Sequence, residues 1–172
     1  TDHTRGAKRF CSIHDVPVYG TDGTLSLTPL DGVELRPISH RQPFDLGQLR
    51  ITPIPIKHLA AEPVAFSISD DGFKLSIVSD LGCVTPKVVE ALQGSRVLMV
   101  EANYDDDMLM QGTYPDFLKR TIRGDHGHLS NDDAASLCSP VVSEETTTVV
   151  LLHLSKENNT PEKAADSVAD GV

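Results

Sequence analysis

Three apolar segments of this chain are each followed, within two residues, by a histidine or an aspartate. The segments and the residues that follow them are 51–56 with His58, 75–79 with Asp80, and 147–152 with His153. Polar residues directly after buried strands are typical of layered α/β folds, because the strands hold the backbone rigidly and the side chains meet beyond the end of the sheet. The pattern therefore predicts a sheet with a site at the ends of these strands.

The residue types in this pattern favour a metal site. Histidine and aspartate are ligands that zinc and manganese accept, and a two-metal hydrolytic site needs both, with one carboxylate shared between the ions. Asp2 and His3 supply a further carboxylate and imidazole at the start of the chain. Taken singly, Asp80 also fits a turn or helix-cap residue, and His153 also fits a histidine satisfied at a strand edge.

The order of predicted elements indicates an α/β or α+β layered fold. Segments 64–69 and 74–79 flank an Asp-Asp-Gly turn and predict a hairpin. Thr85 followed by Pro86 predicts the start of a helix. Prolines in segment 49–56 place that strand at a sheet edge or at the opening of a loop. Residues 18–19 predict a short strand that enters a turn at 20–23.

Length and charge limit the classes of function. A chain of 172 residues suits a single domain, 1–172. The formal net charge of −10 argues against broad attraction to nucleic acid, so a polyanion would need a local basic patch. The residues available for that patch are Arg5, Lys8, Arg9, Lys119, Arg120 and Arg123. These side chains equally fit solvated helix faces.

Cysteine usage and hydropathy indicate a cytoplasmic protein. The three cysteines, Cys11, Cys83 and Cys138, are far apart and odd in number, which favours a reducing compartment over a disulfide framework. No apolar run approaches the length of a membrane span. We therefore expect no membrane association, and the sequence leaves the oligomeric state open.

A second group of polar residues lies in three compact segments, 101–105, 127–131 and 155–159. His128 could act as a general acid at neutral pH if it were held near a departing oxygen. We expect substrate contacts from four polar residues of these segments: Asn103, Ser130, Asn131 and Asn158. Asparagine is also common in turns, and Ser130 or Asn131 would also cap a helix.

Ordered motifs along nearly the whole chain resemble a known family. They are Thr1-Asp2-His3-Thr4-Arg5-Gly6, His58-Leu-Ala-Ala-Glu-Pro-Val, Ser79-Asp80-Leu-Gly, Glu101-Ala-Asn103-Tyr104-Asp, Met108-Leu109, Gly112-Thr-Tyr114-Pro115, Gly127-His128-Leu-Ser-Asn131 and His153-Leu-Ser-Lys-Glu-Asn158-Asn159. The first motif is similar to the end of the HxHxDHxxG signature of metallo-β-lactamase-fold hydrolases. The series as a whole resembles the WalJ-type, or YycJ-type, branch.

The resemblance implies an αββα sandwich with two divalent ions, zinc or manganese. It also implies that the protein is a DNA exonuclease or a related phosphodiesterase, in which a hydroxide held at those ions attacks phosphorus. Asp2, His3 and His153 would hold one ion, Asp80 would bridge both and act in catalysis, and His58 would serve the other ion. His128 would protonate the leaving group or contact the transition state.

Two departures from the family pattern affect these expectations. Tyr104 stands where this branch often carries histidine. The sequence begins inside the metal motif without the leading HxH, so we expect the sequence as written to lack the first strands of the sandwich, to bind a second ion poorly and to be nearly inactive. Two alternatives are a hydrolase of a small ester, thioester or cyclic phosphodiester, and a non-catalytic binding domain that keeps the fold.

Overall fold

The fold was obtained as a computed structural model, which describes Thr4 and residues 6–172. The order of the helices and strands is α1 (Ala7–His14), β1 (Val18–Gly20), α2 (Asp22–Ser26), β2 (Leu35–Pro37), β3 (Phe44–Leu46), β4 (Leu49–Pro55), β5 (Val64–Asp70), β6 (Phe73–Val78), α3 (Pro86–Leu92), β7 (Val97–Glu101), α4 (Asp106–Gln111), α5 (Asp116–Ile122), α6 (Asn131–Val141), β8 (Thr148–Leu152) and α7 (Pro161–Asp170). That part of the chain therefore contains a run of consecutive strands, β2 to β6, followed by a region rich in helices.

The main sheet has six strands in the order β3-β4-β5-β6-β7-β8. The strands from β3 to β6 pair antiparallel, and β6, β7 and β8 pair parallel. Strands β1 and β2 form a separate parallel pair. Since parallel neighbours need crossover connections, helices link β6 to β7 and β7 to β8, and the carboxyl ends of these three strands lie at one edge of the sheet.

Local sequence explains where the elements begin and turn. Asp71 and Gly72 turn β5 into β6, and Gly72 takes a φ of 100°, which glycine adopts without steric cost. The Thr85 side chain accepts a hydrogen bond from the amide of Val88 at the start of α3. Thr160 caps α7 in the same way. The predicted hairpin and the predicted Thr85 helix start are confirmed.

The core lies between one face of the main sheet and three helices, α3, α6 and α7. The row of residues on that face consists of two paired sets, Ile54 with Ala65, and Val78 with Val100 and Leu151. All five residues belong to the buried core or pack against it. From the helices, Leu92, Leu137 and Val168 close over this row. The strands whose ends carry the predicted site are therefore anchored in the buried core.

Of two further predictions from the sequence, a turn near residue 22 is wrong and the position of the prolines in β4 is confirmed. Residues 22–26 form the short helix α2, where the sequence predicted only a turn. The edge position of the prolines in β4 is confirmed. Strand β3 pairs with β4 only as far as Ile51. Among the described strands, Pro53 and Pro55 therefore have a neighbour, β5, on one side only, and the missing proline N–H groups interrupt no pairing on the other side.

No helix in the described part of the chain is long and apolar enough to cross a membrane.

Candidate metal centre

Five side chains meet beyond the ends of the central strands. His58 follows β4, Asp80 follows β6, Glu101 is the last residue of β7, and His153 follows β8 directly. His128 lies between α5 and α6. Asp80 and His153 have positive φ angles of 56° and 58°. Left-handed backbone costs energy for residues other than glycine, and such outliers are concentrated at functional sites.

A backbone carbonyl fixes the tautomer of His58. Its Nδ1 lies 3.0 Å from the carbonyl oxygen of Gly127, and because a carbonyl only accepts, Nδ1 carries the proton and donates. The lone pair is then on Nε2, which lies 3.9 Å from Oδ1 of Asp80. Zinc binds nitrogen and carboxylate oxygen at about 2.0–2.2 Å, so one ion can contact both atoms across this separation.

Glu101 connects two further histidines of the site. The Nδ1 atoms of His128 and His153 each lie 2.7 Å from Oε1 of Glu101, and Oε2 accepts the amide N–H of Leu81 at 2.8 Å. A carboxylate acceptor favours the Nδ1–H tautomer of each ring and leaves each Nε2 as the possible ligand nitrogen. Carboxylates that hold ligand histidines in this way are common around protein metals.

The environment keeps Glu101 ionised. The side chain is fully buried, and burial by itself would raise its pKa. Hydrogen bonds from His128 and His153, the charge of His128 and the Leu81 amide oppose that effect and lower the pKa of Glu101 below its usual value. A buried, ionised carboxylate with three donors is therefore a fixed negative charge beneath the cluster.

The geometry of the cluster fits a divalent cation. Asp80, Glu101, His128 and His153 each offer a ligand atom within 4.8 Å of the others. Oδ1 of Asp80 lies 3.4 Å from Nδ1 of His153 and 3.6 Å from Nδ1 of His128. The His128 ring is 5.1 Å from both the His58 and the His153 ring, centroid to centroid. Imidazole and carboxylate in this proximity are the donor set that zinc and manganese accept.

The structure thus brings together three of the residues predicted as metal ligands, His58, Asp80 and His153, with the predicted catalytic residue His128. Asp2 and His3 lie outside the described residues. Their assignment as ligands stays a prediction.

The residues predicted to bind substrate have protein partners close to the cluster. The amide of Asn103 donates to the carbonyl oxygen of His153 at 2.7 Å. Ser130 caps α6 in a reciprocal capping box with Asp133. The buried Asn158 bonds to the Ser155 hydroxyl through its backbone and side-chain nitrogens, at 3.1 and 3.4 Å. Of these residues, Asn103 lines the cavity described below.

Asn131 forms a buried amide pair with Asn159. Each side chain donates to the other's oxygen, at 3.0 and 2.8 Å, and Asn159 also donates to the carbonyl of Ala102. These bonds join the start of α6 to the loop after His153. A direct contact of Asn131 with substrate stays a prediction.

Sequence reasoning assigned no role to Glu101. The sequence also did not indicate how closely the loop that carries His128 packs against its neighbours. In the structure, a Cβ on Gly127 in this loop would overlap the carbonyl of Ile122. Tyr104, which departs from the family pattern, is buried, and burial raises its pKa to about 12. The neutral phenol is therefore the form present at physiological pH.

A cavity of about 910 Å³ opens over the cluster. His58, Asp80, His128 and His153 line it on the side of the strand ends. Apolar and aromatic side chains line much of the rest. The site is a polar cluster set in a largely apolar recess, which is the usual form of a small-ligand or active site.

Comparison with known proteins agrees with this geometry. The β-lactamase superfamily domain matches residues 1–154 of the chain. Exodeoxyribonuclease YycJ of Bacillus anthracis is 31% identical over 176 residues, covering 98% of this chain and 66% of that protein. Exodeoxyribonuclease WalJ of Streptococcus pneumoniae is 32% identical over 118 residues, covering 69% of this chain and 44% of that protein. This chain therefore spans less than two thirds of either relative.

Solved structures share the fold. The metallo-β-lactamase-fold protein YhfI from Bacillus subtilis superimposes with a TM-score of 0.68 at 18% identity, over 95% of this chain and 62% of that protein. Likeness at this identity concerns the fold alone. The predicted mixed α/β class and metallo-β-lactamase fold are confirmed.

Proposed function

This chain belongs to the metallo-β-lactamase superfamily, in the branch of the YycJ and WalJ proteins, and we propose that it provides the metal-binding face of a phosphodiesterase that acts on DNA. The observation that carries the proposal is the shared carboxylate of Glu101, which holds His128 and His153 beside Asp80. The names of the curated relatives support DNA as the substrate.

We assign the chain's metal ligands by geometry and family motif. Asp80 is central, since its Oδ1 lies 3.9 Å from the free Nε2 of His58 and its carboxylate lies beside the rings of His128 and His153. His58 would serve one divalent ion and His153 the other, with Asp80 shared by both; by the family motif, Asp2 and His3 would be further ligands of the ion that His153 holds. When bound, the ions would lower the pKa of water and offset the negative charge of the phosphate.

His128 is suited to proton transfer. Glu101 holds its Nδ1, and Nε2 is then the nitrogen free to exchange a proton with a group in the cavity that His128 lines. A protonated His128 ring could donate from Nε2 to a departing oxygen. In this assignment Asp80 and His153 bind metal, and His128 transfers the proton.

A nuclease assay on the full-length protein tests the proposal. We expect release of nucleotides from DNA in the presence of zinc or manganese, loss of that activity with a chelator, and restoration by added metal. Asp80→Ala should abolish activity and metal binding together, while Asp71→Ala, in the exposed β5–β6 turn, should change neither. Full activity of Asp80→Ala would contradict the assignment.

The net charge of −10 favours a second function, hydrolysis of a small phosphodiester. Two of the basic side chains on α5 and at its C-terminal cap are already engaged, because Arg123 pairs with Asp106 at 3.0 Å and Lys119 donates to the carbonyl of Met110. Efficient cleavage of a cyclic dinucleotide without cleavage of DNA would select this alternative.

A further inference from the structure

One wall of the cavity comes from the segment that holds α5. Tyr114 precedes the helix, and Leu118 and Ile122 lie four residues apart on one face of it. All three side chains line the same cavity as His58, Asp80, His128 and His153, and all three are half-buried. The cluster thus faces an aromatic and aliphatic surface.

Both ends of this wall are in close contact with segments next to the histidines of the cluster. Before Tyr114, a Cβ on Gly112 would come within 2.7 Å of Oδ1 of Asn158, so the chain here lies against the loop that follows His153. After α5, the amide of His128 donates to the carbonyl of Ile122 at 2.9 Å. The wall is therefore fixed relative to two histidines of the site.

Tyr114 differs from the other two tyrosines of the chain. Tyr19 stacks on Phe44 and Tyr104 is buried, whereas among the described residues neither the ring nor the hydroxyl of Tyr114 has a partner. A half-buried tyrosine without partners, on the wall of a polar cluster, is placed to contact a ligand.

We propose that Tyr114, with Leu118 and Ile122, binds the nucleobase next to the phosphate that is hydrolysed, with the tyrosine ring stacked on the base. The proposal rests on the proposed function and specifies its substrate as a strand end with an unpaired base. Stacking tolerates all four bases because each has a π-face. The wall would therefore require a base to be present but would not distinguish among the four bases.

The test compares oligonucleotides that carry either adenine or an abasic residue at the terminal position, at the 5′ end in one pair and the 3′ end in the other. With the full-length protein and manganese, we expect kcat/KM to be roughly 10-fold higher for the adenine substrate of one pair, the usual effect of one stacked base. Tyr114→Ala and Tyr114→Leu should lose this difference by slowing only the adenine substrate. Tyr114→Phe should keep it.

Phe117→Ala is the matched control, because Phe117 is an aromatic residue of the same helix that is 65% exposed and lies outside the cavity. It should behave like the wild type. Equal losses on adenine and abasic substrates in Tyr114→Leu would overturn the proposal, since they would mean that the ring only supports the fold.

A binding measurement separates this proposal from the proposed nuclease activity. Stacking quenches the fluorescence of 2-aminopurine, so we expect a 2-aminopurine dinucleotide to be quenched by the wild-type protein and not by Tyr114→Ala. If DNA is not cleaved but the quenching difference is present, the nuclease assignment fails and base binding stands. If DNA is cleaved with equal quenching and equal base preference in both proteins, base binding fails and the nuclease assignment stands.

Discussion

Glu101 determines the orientation of two histidines through a single oxygen atom. Oε1 accepts from Nδ1 of His128 and Nδ1 of His153, and Oε2 accepts from the Leu81 amide. The hydrogen bonds to an ionised acceptor are stronger than neutral ones, and the side chain is fully buried, so water does not compete. Both rings therefore present Nε2 as the nitrogen available to a metal or a substrate.

Replacing Glu101 with glutamine should weaken metal binding. Both Nδ1–H groups donate to Oε1 and the Leu81 amide donates to Oε2, so in either orientation the NH₂ group of glutamine would face a donor. The neutral amide oxygen is also a weaker acceptor than the carboxylate, so the histidines would be held less firmly. Loss of such a partner commonly lowers metal affinity by 10–100-fold, so we expect a change of about that size for zinc. Competition with a chromophoric chelator measures the affinity.

Glu90→Gln, at an exposed position on α3, is the control for this change and should bind zinc normally. Circular dichroism would verify that both variants are folded. If Glu101→Gln bound zinc as tightly as the wild type, the histidines would have to be held by something other than this carboxylate.

At the residue scale, the rule that a polar residue follows a buried strand found His58, Asp80 and His153. Glu101 obeys the same rule, because it ends the apolar run of β7. The sequence did not reveal its role, since a glutamate beside a strand is usually solvated, and only the converging loops bury it. The pairing of Asn131 with Asn159 was equally invisible, because it joins side chains 28 residues apart.

At the scale of elements, the loop between α5 and α6 positions His128 in the site through close backbone contacts. The carbonyl of Gly127 orients His58, and the amide of His128 binds the carbonyl of Ile122. Any Cβ at Gly127 would overlap the carbonyl groups of Thr121 and Ile122. Gly82 permits a similar approach on the other side of the loop, against the carbonyl of Asp125.

Gly127→Ala should therefore displace this loop. We expect a loss of about 1–3 kcal/mol in the free energy of unfolding, the usual cost of overpacking, together with weaker zinc binding because His58 and His128 both move. Urea unfolding and the chelator competition measure the two effects. Gly124→Ala in the same loop has more room, with its nearest carbonyl at 3.2 Å, and should be milder in both. Equal behaviour of the two variants would contradict the loop contact as the cause.

Element prediction succeeded where local chemistry decides the structure. The β5–β6 hairpin and the Thr85 and Ser130 caps all follow from turn and cap residues within a few positions. Helix α2 was missed because five residues with two turn formers, Asp22 and Gly23, carry little helical signal. Its support is tertiary: the Glu62 carboxylate accepts the amide of Gly23, and the Ala61 carbonyl accepts the Thr24 hydroxyl.

At the scale of the whole molecule, the two faces of the main sheet differ in cover. The face toward α3, α6 and α7 is buried, whereas the paired row on the opposite face, Phe66, Ile77, Met99 and Val150, is partly exposed, with Val150 at 37%. Phe66 and Ile77 also line the cavity. The cavity therefore lies on the sheet's less covered side, next to the strand ends that carry the cluster.

For the proposed DNA substrate, charge at this scale favours contact with only a short length of strand. A protein of net charge −10 repels a polyanion, and Arg123 and Lys119 are engaged within the fold. Arg120 is exposed on the same helix, while Lys8 and Arg9 lie on α1 in another part of the chain. Extended nucleic-acid interfaces need many basic contacts along the strand, each adding to the salt dependence of binding.

We therefore expect the full-length protein to cleave short and long single strands with similar efficiency. The value of kcat/KM should differ by less than about 3-fold between oligonucleotides of roughly 4 and 40 nucleotides, because few phosphates beyond the cleaved end would contact basic side chains. Raising the salt from about 50 to 200 mM should for the same reason lower kcat/KM by less than about 10-fold. Steady-state assays across length and salt measure both effects. A steep rise with length, together with a steep fall with salt, would instead show that a basic track accompanies the site in the full-length protein.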